Sequence, residues 1–478
     1  MPIVSPRKQE VLEYFESISS GYNQYRKRFS YYGNDIIRYI NFFIQPEDKV
    51  LEIGCGCGET IAGLRTKDKT GIDFSPKMIE EAKKQHPDID FYVMDAEAIS
   101  LTKTFDVIIF NNIIGYLDNI QDVFTSIHKN CHQRTHIIIS YYNFFWEPLL
   151  SLAERLKIKK KSPYQNWLNT NDITNLLFLA GFETYKKTDR LLVPINIPVI
   201  STLFNRYLAK LPLIRGLCLN KFLFALPKPE WMDSGILKEY SVSICIPARN
   251  ESGNIENAIK RIPSFGKSQE IIFVEGNSTD DTWQKIQEVK EKYKETHRIV
   301  IAQQSGKGKG DAVRKGYAMA QNDILMILDA DLTMPPEELP KFYDAIASGK
   351  AEFINGSRLV YPMDKDAMRF LNLVGNKFFS IVLTWLLEQN IKDSLCGTKV
   401  MFRKDYIKLA ANRSFFGDFD PFGDFDLLFG AYKLNLKIID LPIRYKERTY
   451  GETNISRFKH GFILLKMCWF AAFKIKFW

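Results

Sequence analysis

No run of about 20 consecutive apolar residues occurs in this 478-residue chain, so a membrane-spanning helix is not expected. Cysteine is sparse. Cys55, Cys57, Cys131, Cys218, Cys245, Cys396 and Cys468 form an odd, scattered set of seven without the paired spacing of a zinc site, which excludes a disulfide framework and points to a reducing cytoplasm. Compact basic runs are nearly absent too. The net charge is +9 and the isoelectric point about 8.9, yet only KIKKK at 157–161 clusters that charge, so nucleic acid is not expected and anionic substrates or an anionic membrane surface fit better. The opening MPIVSPRKQEVLEYF lacks the charged-then-apolar pattern of a secretory signal, so export is not expected. There is no internal repeat and no low-complexity tract.

What is present is length and alternation. At roughly 100–200 residues per domain, 478 residues make two to four units. Val11, Leu12, Phe15 and Ile18 have helical spacing ahead of the first strand. KVLEI, KTGIDF, IDFYVMD, FDVIIFNN and HIIISYY then read as short β-branched strands, with helical stretches between most of them. A second pass begins near Tyr240 with SVSICIPA, EIIFVEG, RIVIAQQ, DILMILDAD and EFINGSR. The alternation predicts an α/β chain of two doubly wound domains, each a mostly parallel sheet wrapped by helices. The joint is expected in LPKPEWMDSGILKEY, 226–240, where prolines, Asp233 and Gly235 break the periodicity. Residues 141–226 are expected to form a helical cap over the first domain, with a membrane-facing lid as the alternative.

In LEIGCGCGET the strand KVLEI delivers Glu52, and Gly54, Gly56 and Gly58 let the backbone turn tightly and approach a ligand before a helix begins. The spacing is GxGxG, which departs from the GxGxxG dinucleotide fingerprint. Over most of residues 40–190 the chain resembles the class I S-adenosylmethionine-dependent methyltransferases, a Rossmann-like fold. That resemblance implies a cofactor site in which Glu52, Gly54, Gly56 and Gly58 surround the methionine moiety, Asp73 meets the ribose, Asp95 faces the adenine, and Asn111 and Asn112 lie where cofactor and acceptor meet. A helix N-cap is the competing role for Asp73, and Ser75 fills that role equally well. Cys55 and Cys57 lack the further ligands of a metal site and read as small loop residues. Many relatives carry a histidine where this chain has Tyr116, so the base and the methyl acceptor stay open.

In the second half, Asp329 and Asp331 end ILMILDAD, where residues two apart on a strand point to one side. Two carboxylates about 4 Å apart repel by about 4 kcal/mol at an effective dielectric near 20, which calls for a cation. Mg²⁺ or Mn²⁺ takes such oxygen ligands and bridges to phosphates. With SVSICIPARNESGNIENAI, EIIFVEGNSTDDT and GKGKGDAVRKGYAMAQND in order ahead of it, the region from 241 to about 465 resembles the family 2 glycosyltransferases of the inverting GT-A type, especially the dolichyl- or polyprenyl-phosphate sugar transferases. The resemblance implies a nucleotide-sugar site in which Pro247, Arg249 and Glu251 lie along the nucleotide, Glu275 keeps an acid at the next strand end, and Lys307 and Lys309 oppose the diphosphate. Gly276 stands where the family often has a second acid, and Thr333 where a glutamine often follows the acidic pair. An acceptor phosphate needs cationic positioning, for which Arg358, Arg403 and Arg448 are candidates. An alcohol acceptor would need Asp424 or Asp426 as base.

The stretch GFILLKMCWFAAFKIKFW, 461–478, is too short and too charged to span, since a central lysine costs about 2.5–3.5 kcal/mol. On a helix Lys466, Lys474 and Lys476 fall on one arc, which suits the headgroup layer with Trp469 and Trp478 as anchors. The alternative is a helix packed on its own domain. The expected organisation is a methyltransferase domain over 1–230 and a glycosyltransferase domain over 241–478. The expected function is bifunctional: methyl transfer from S-adenosylmethionine, and sugar transfer from a nucleotide-sugar donor to a polyprenyl phosphate or glycolipid, with a divalent cation, at the inner face of the cytoplasmic membrane. The rival readings are a nicotinamide-binding or non-catalytic N-terminal module beside a glycosyltransferase acting on a sugar hydroxyl, and a scaffold that holds ligands without turnover.

Overall fold

A computed structural model describes residues 5–21, 30–157, 161–163, 165–231, 239–360, 370–415, 423–446, 448, 450 and 457–477. The chain divides into two compact units, one ending at Asp233 and the other beginning at Ser234.

The first unit is a seven-stranded sheet of β1 (Lys49–Ile53), β2 (Asp68–Asp73), β3 (Asp90–Val93), β4 (Val107–Asn111), β5 (His136–Tyr142), β6 (Phe182–Arg190) and β7 (Asn220–Pro227), in the order β3-β2-β1-β4-β5-β7-β6. The first five strands run parallel, and β7 runs antiparallel to both β5 and β6. The second unit has β8 (Val242–Ala248), β9 (Gln269–Glu275), β10 (Arg298–Gln303), β11 (Ile324–Ile327), β12 (Phe353–Ser357), β13 (Lys399–Phe402) and β14 (Ile438–Pro442), in the order β10-β9-β8-β11-β13-β12-β14. Here β13 is antiparallel to β11 and β12. Central strands such as VLEI, VIIF and VSICI are buried on both faces, which is why they read as continuous apolar runs rather than alternating ones. Both units are doubly wound α/β sheets, as the alternation predicts. The order reverses between β1 and β4 and again between β8 and β11, and ligands of such sheets bind at the carboxyl ends of the strands beside the reversal.

Two expectations are corrected. Residues 141–226 are not a helical cap: helices Glu147–Arg155, Thr170–Leu179 and Ile200–Arg206 are interleaved with β6 and β7, which complete the sheet. The strand β6 is hard to read because its buried positions include Lys186 and Arg190. Lys186 Nζ lies 3.5 and 3.6 Å from the ring centres of Phe43 and Phe224, and Arg190 pairs with buried Asp35 at 2.6 Å. Charge paired inside the unit hides the apolar period. Second, β11 ends at Ile327, so Asp329 and Asp331 are not strand residues. They belong to a turn closed by Leu332, whose φ is 52° and whose N–H donates to the Asp329 carbonyl at 3.1 Å.

In the second unit the helix Arg457–Ile475 packs Leu464, Met467, Cys468, Ala471, Ala472 and Ile475 inward, in contact with the helix Phe370–Leu387. Lys476, expected on the headgroup arc, is instead buried and paired with Glu388. The outward face keeps Phe462, Leu465, Lys466, Trp469 and Phe473, and the neighbouring helix exposes Val374, Phe378 and Ile381. Trp478 lies outside the described residues. Among the described residues no helix is long and apolar enough to cross a membrane.

Candidate functional site

At the carboxyl end of β1 the chain turns through Gly54, Gly56 and Gly58, with φ of 72°, 55° and 86°. A Cβ on Gly54 would lie 2.3 Å from Ile113 Cδ1 and one on Gly58 2.6 Å from Phe91 Cζ, so space as well as dihedral demands glycine. Two buried carboxylates hold this loop. Glu52 accepts from the Ile61 N–H at 3.0 Å, and Asp73 accepts from the Gly56 and Ser75 N–H groups, both at 2.9 Å. Ser75 caps the helix Pro76–Gln85 through Met78 N–H, so Asp73 is a brace on the glycine loop rather than the N-cap. Burial pushes the Asp73 carboxyl up, against those two backbone hydrogen bonds. Cys55 and Cys57 are buried loop residues, with Cys57 Sγ 3.3 Å from Met78 Sδ. Asp95 caps a short turn through Glu97 N–H and pairs with Lys8 of the helix Pro6–Ile18.

Beyond β4 a neutral cluster forms. Asn111 donates to Thr60 Oγ1 at 3.0 Å and accepts from Ser140 Oγ at 2.6 Å, which ties the β4 and β5 ends to the glycine loop's helix. Asn112, held at φ 55°, donates to the Tyr32 hydroxyl at 2.8 Å, and that hydroxyl donates to Asn220 Oδ1 at 2.9 Å. Tyr142 lies beside Tyr32, with ring centres 5.9 Å apart. Burial pushes the Tyr32 phenol well above its ordinary range, so it remains a hydroxyl donor; burial pushes Tyr116 up as well.

The second unit gathers charge instead. Glu251 follows β8, Glu275 ends β9, and Asp329 and Asp331 follow β11, all at carboxyl strand ends by the reversal. Arg448 bridges two of them, donating to Glu251 Oε1 at 3.0 Å and Asp331 Oδ2 at 2.6 Å. Thr333 fixes the other Asp331 oxygen through its N–H at 3.1 Å and its hydroxyl at 2.8 Å. Burial pushes the Glu251 carboxyl up to about 7, with Asn254 and Arg448 opposing. Lys309 pairs with Asp329 at 2.6 Å. Burial alone would raise the Asp329 carboxyl, but the charges of Lys309, Lys399 and Arg358 outweigh it and hold it below the usual range. A Cβ on Gly397 would stand 2.0 Å from Asp329 Oδ2 and 2.2 Å from Lys309 Nζ, so this pair is seated against bare backbone.

The comparisons agree with this division. A family model described as a methyltransferase domain matches residues 44–189, and one described as glycosyl transferase family 2 matches residues 243–409. The chain joins a methyltransferase domain to a family 2 glycosyltransferase domain. Its glycosyltransferase domain is 31% identical over 223 residues to a dolichol-phosphate mannosyltransferase of Pyrococcus furiosus, covering 45% of this chain and 59% of that protein. It is 26% identical to the glycosyltransferase AglJ of Haloferax volcanii, covering 47% of this chain and 69% of that one. It is 33% identical over 113 residues to an undecaprenyl-phosphate 4-deoxy-4-formamido-L-arabinose transferase of Pectobacterium carotovorum subsp. carotovorum, covering 23% of this chain and 34% of that one. The chain thus spans little more than half the length of the first of these relatives and a third of the last.

Within the glycosyltransferase domain the expected residues do not all converge. Pro247 lies in β8 and Arg249 just beyond it, exposed beside Gly276. Glu275 is buried and accepts from Gln303 Nε2 at 3.1 Å. Lys307 is exposed in the glycine-rich loop. Arg358 is committed to Asp393 by two hydrogen bonds of 2.8 and 2.9 Å, and its charge holds that carboxyl down at about 2 against burial. Arg403 is a correction. Phe402 pairs with Ile324 and the Arg403 N–H donates to the Asp323 carbonyl, which puts Arg403 at the start of β11, the opposite end from Asp329. Six residues of extended β13 and its approach, roughly 20 Å, separate it from Gly397. Asp426 is paired with Arg413 at 2.9 Å. The Asp424 side chain lies outside the described residues, although the residue before its helix is Gly423, where a Cβ would meet Gly310 Cα at 3.0 Å.

Sequence reasoning missed Lys399, Gly397 and Asp393 here, and Tyr32 and Asn220 in the methyltransferase domain. The CGTK stretch carried a signal, since a lysine and a glycine inside an otherwise apolar strand approach need a reason. Tyr32 and Asn220 carried none, being 188 residues apart and joined only by the fold.

Proposed function

We propose that the glycosyltransferase domain transfers a sugar from a nucleotide donor to a polyprenyl phosphate, and that the methyltransferase domain transfers a methyl group from S-adenosylmethionine, both at the inner face of the cytoplasmic membrane. The observation that carries the first half is the gathering of Glu251, Asp329 and Asp331 with Lys309 and Arg448 at the ends of β8 and β11. An acceptor phosphate is already a nucleophile. Its oxygen attacks the anomeric carbon as the bond to the nucleoside diphosphate breaks, so the domain's task is to hold two anions in line. Lys309 and Lys307 face the departing diphosphate, Arg448 is poised beside the acids, and Glu251, Arg249 and Glu275 line the nucleotide. Asp329 and Asp331 would hold a Mg²⁺ or Mn²⁺, which keeps several waters and therefore needs only one or two carboxylates. That ion would supply charge neutralisation at the leaving group.

In the methyltransferase domain, Gly54, Gly56 and Gly58 admit close backbone approach, Glu52 and Asp73 hold that loop open, and Asp95 and Asn111 flank it. S-adenosylmethionine, when bound, supplies an electrophilic methyl group. The outward apolar face of Phe462, Leu465, Trp469 and Phe473, with exposed Lys466 in the same row, supports a membrane-resident sugar acceptor. The relatives named for dolichol phosphate and undecaprenyl phosphate support the same acceptor.

The test is mass spectrometry of products formed by the full chain from polyprenyl phosphate and a panel of nucleotide sugars, with labelled methyl donor in parallel. The expected product is the lipid phosphate enlarged by one sugar, and its formation stops on chelation. Transfer only to a sugar hydroxyl would replace the acceptor assignment.

A further inference from the structure

One feature of the methyltransferase unit is unused by the cofactor site. Past β5, residues 144–156 expose Phe144, Phe145, Leu149, Leu152 and Leu156, the three leucines at helical spacing along the helix Glu147–Arg155 and its C-cap Leu156. Residues 195–217 expose a second set, with Val199 at 79% and Leu213 at 96% of their full accessibility. The two stretches are joined: Trp146 Nε1 donates to the Leu217 carbonyl at 2.8 Å, and buried Asn143 donates to the carbonyls of Gly216 and Cys218 at 2.8 and 2.9 Å. These bonds bring the two sets of exposed apolar side chains onto adjoining stretches of chain, and a clustered apolar surface marks an interaction site where scattered leucines would not.

Its exposed charges are mostly cationic, with Glu147 exposed and Glu154 half-buried on the helix as the acids among them. Residues 195–217 contain no acidic residue, and Arg155, Lys157, Lys161 and Arg215 are exposed around the apolar set. Leucines and phenylalanines among exposed charges that are mostly cations match the acyl and phosphate layers of an anionic bilayer. The surface is also continuous with the neutral cluster. Tyr142 directly precedes Asn143, and Asn220 follows Leu217 by three residues. In that cluster Asn220 is fully buried, its Oδ1 takes the Tyr32 hydroxyl, and its Nδ2 has no hydrogen-bond partner; Asn112 Oδ1 is likewise buried without one. Amide and phenol groups without a net charge suit hydroxyls rather than ionised groups.

We propose that this surface docks the N-terminal unit on an anionic membrane and that its methyl acceptor is the neutral, hydroxyl-bearing headgroup of a lipid, received at Asn112, Asn220 and Tyr32. The inference rests on the methyl-transfer reading for its second half. In that step the headgroup oxygen bonds to the methyl carbon as the donor's S–CH₃ bond breaks to leave a thioether, and the hydroxyl proton passes to water.

The test uses the full chain with Phe462→Ser and Trp469→Ser, which silence the other unit's apolar face. Sedimentation with phosphatidylglycerol–phosphatidylethanolamine vesicles should retain binding, and adding Leu149→Gln, Leu152→Gln and Leu213→Gln should weaken it tenfold or more. Thermal unfolding should change little, because those side chains are at least half exposed, at 56%, 50% and 96%. Undiminished binding after the leucine changes, or no binding before them, overturns the docking face; so does a dimer that the leucine changes dissociate, which would make a second copy the occupant. For the headgroup, calorimetry of octyl glucoside below its micelle concentration, with adenosylhomocysteine present, should show a tenfold or greater loss in Asn220→Asp. Equal affinity in that variant overturns the headgroup assignment. Loss of adenosylhomocysteine binding in the unsubstituted chain, with vesicle binding intact, would strike the methyl-transfer reading and leave the docking face standing.

Discussion

The two reversal-point sites of this chain are built from opposite materials. In the first unit, carboxylates hold backbone: Glu52 and Asp73 take N–H groups, and the cluster beyond β4 is amide and phenol. In the second, carboxylates hold cations: Asp329 takes Lys309, and Arg448 spans Asp331 and Glu251. A loop fixed by backbone hydrogen bonds is already in its binding shape and accepts a ligand without exchanging partners. A site whose charges are paired with one another must give up those pairs to a diphosphate and a metal, and the pairing keeps buried acids from repelling until then. The same doubly wound architecture thus yields one site of fixed shape and one of exchangeable charge.

Four measurements can break or sharpen that contrast. The largest effect is expected from Asp331→Asn, which should lower sugar transfer about 10²- to 10³-fold, the size typical of removing one preorganised electrostatic contact. It should leave methyl-donor affinity untouched in calorimetry; a fall in both would mean the two sites are not separate. Of similar size, Lys476→Met breaks the buried ion pair with Glu388 and should destabilise the second unit by about 3–5 kcal/mol in denaturant unfolding. Exposed Lys466→Gln should leave unfolding unchanged and weaken vesicle binding by about 1 kcal/mol, an effect that disappears at high salt. Equal behaviour of the two lysines would restore the single lysine arc.

Third in size is a pH effect at Glu251. Its folded value of about 7 lies above the 4.5 of the free side chain, so the folded state binds the extra proton between those values. The stability this contributes is fully present below pH 4.5 and is lost as pH rises to about 7, on the order of 2–3 kcal/mol. Glu251→Gln should flatten that slope in the unfolding of the second unit, and an unchanged slope would assign the titration elsewhere. An effect nearly as small as that of Lys466 is expected at the fixed-shape site. Gly56→Val forces a β-branched residue into the left-handed region, which costs about 1–2 kcal/mol and corresponds to roughly tenfold weaker S-adenosylmethionine in calorimetry. Undiminished affinity would remove the loop from the site.

How far the sites were legible depended on whether their parts were neighbours in sequence. Glu52 and the three glycines lie within seven residues, Asp73 ends a strand, and Asp329 follows one by two residues, both strands announced by apolar runs. Arg403 misled because a basic residue near a family-like motif looks the same at either end of a strand; only the antiparallel pairing of β13 with β11 reveals that it faces away. Asp329 and Asp331 lie in a turn and not on the strand that their alternation suggests, since a left-handed Leu332 cannot be foreseen from a run of apolar letters.

The sequence by itself determined two α/β units, the strand ends that carry acids, and the glycine turn, because each follows from local periodicity and from what a glycine backbone can do. Only the tertiary structure decided who holds whom. Arg448 lies 197 residues from Glu251 and 117 from Asp331, and Tyr32 meets an asparagine 188 residues away. Such pairings arise from strand order and from which ends of the sheets face the same way. Charge placement inside a fold is long-range, whereas the patterns that form helices and strands are short-range, and a chain read residue by residue displays only the second.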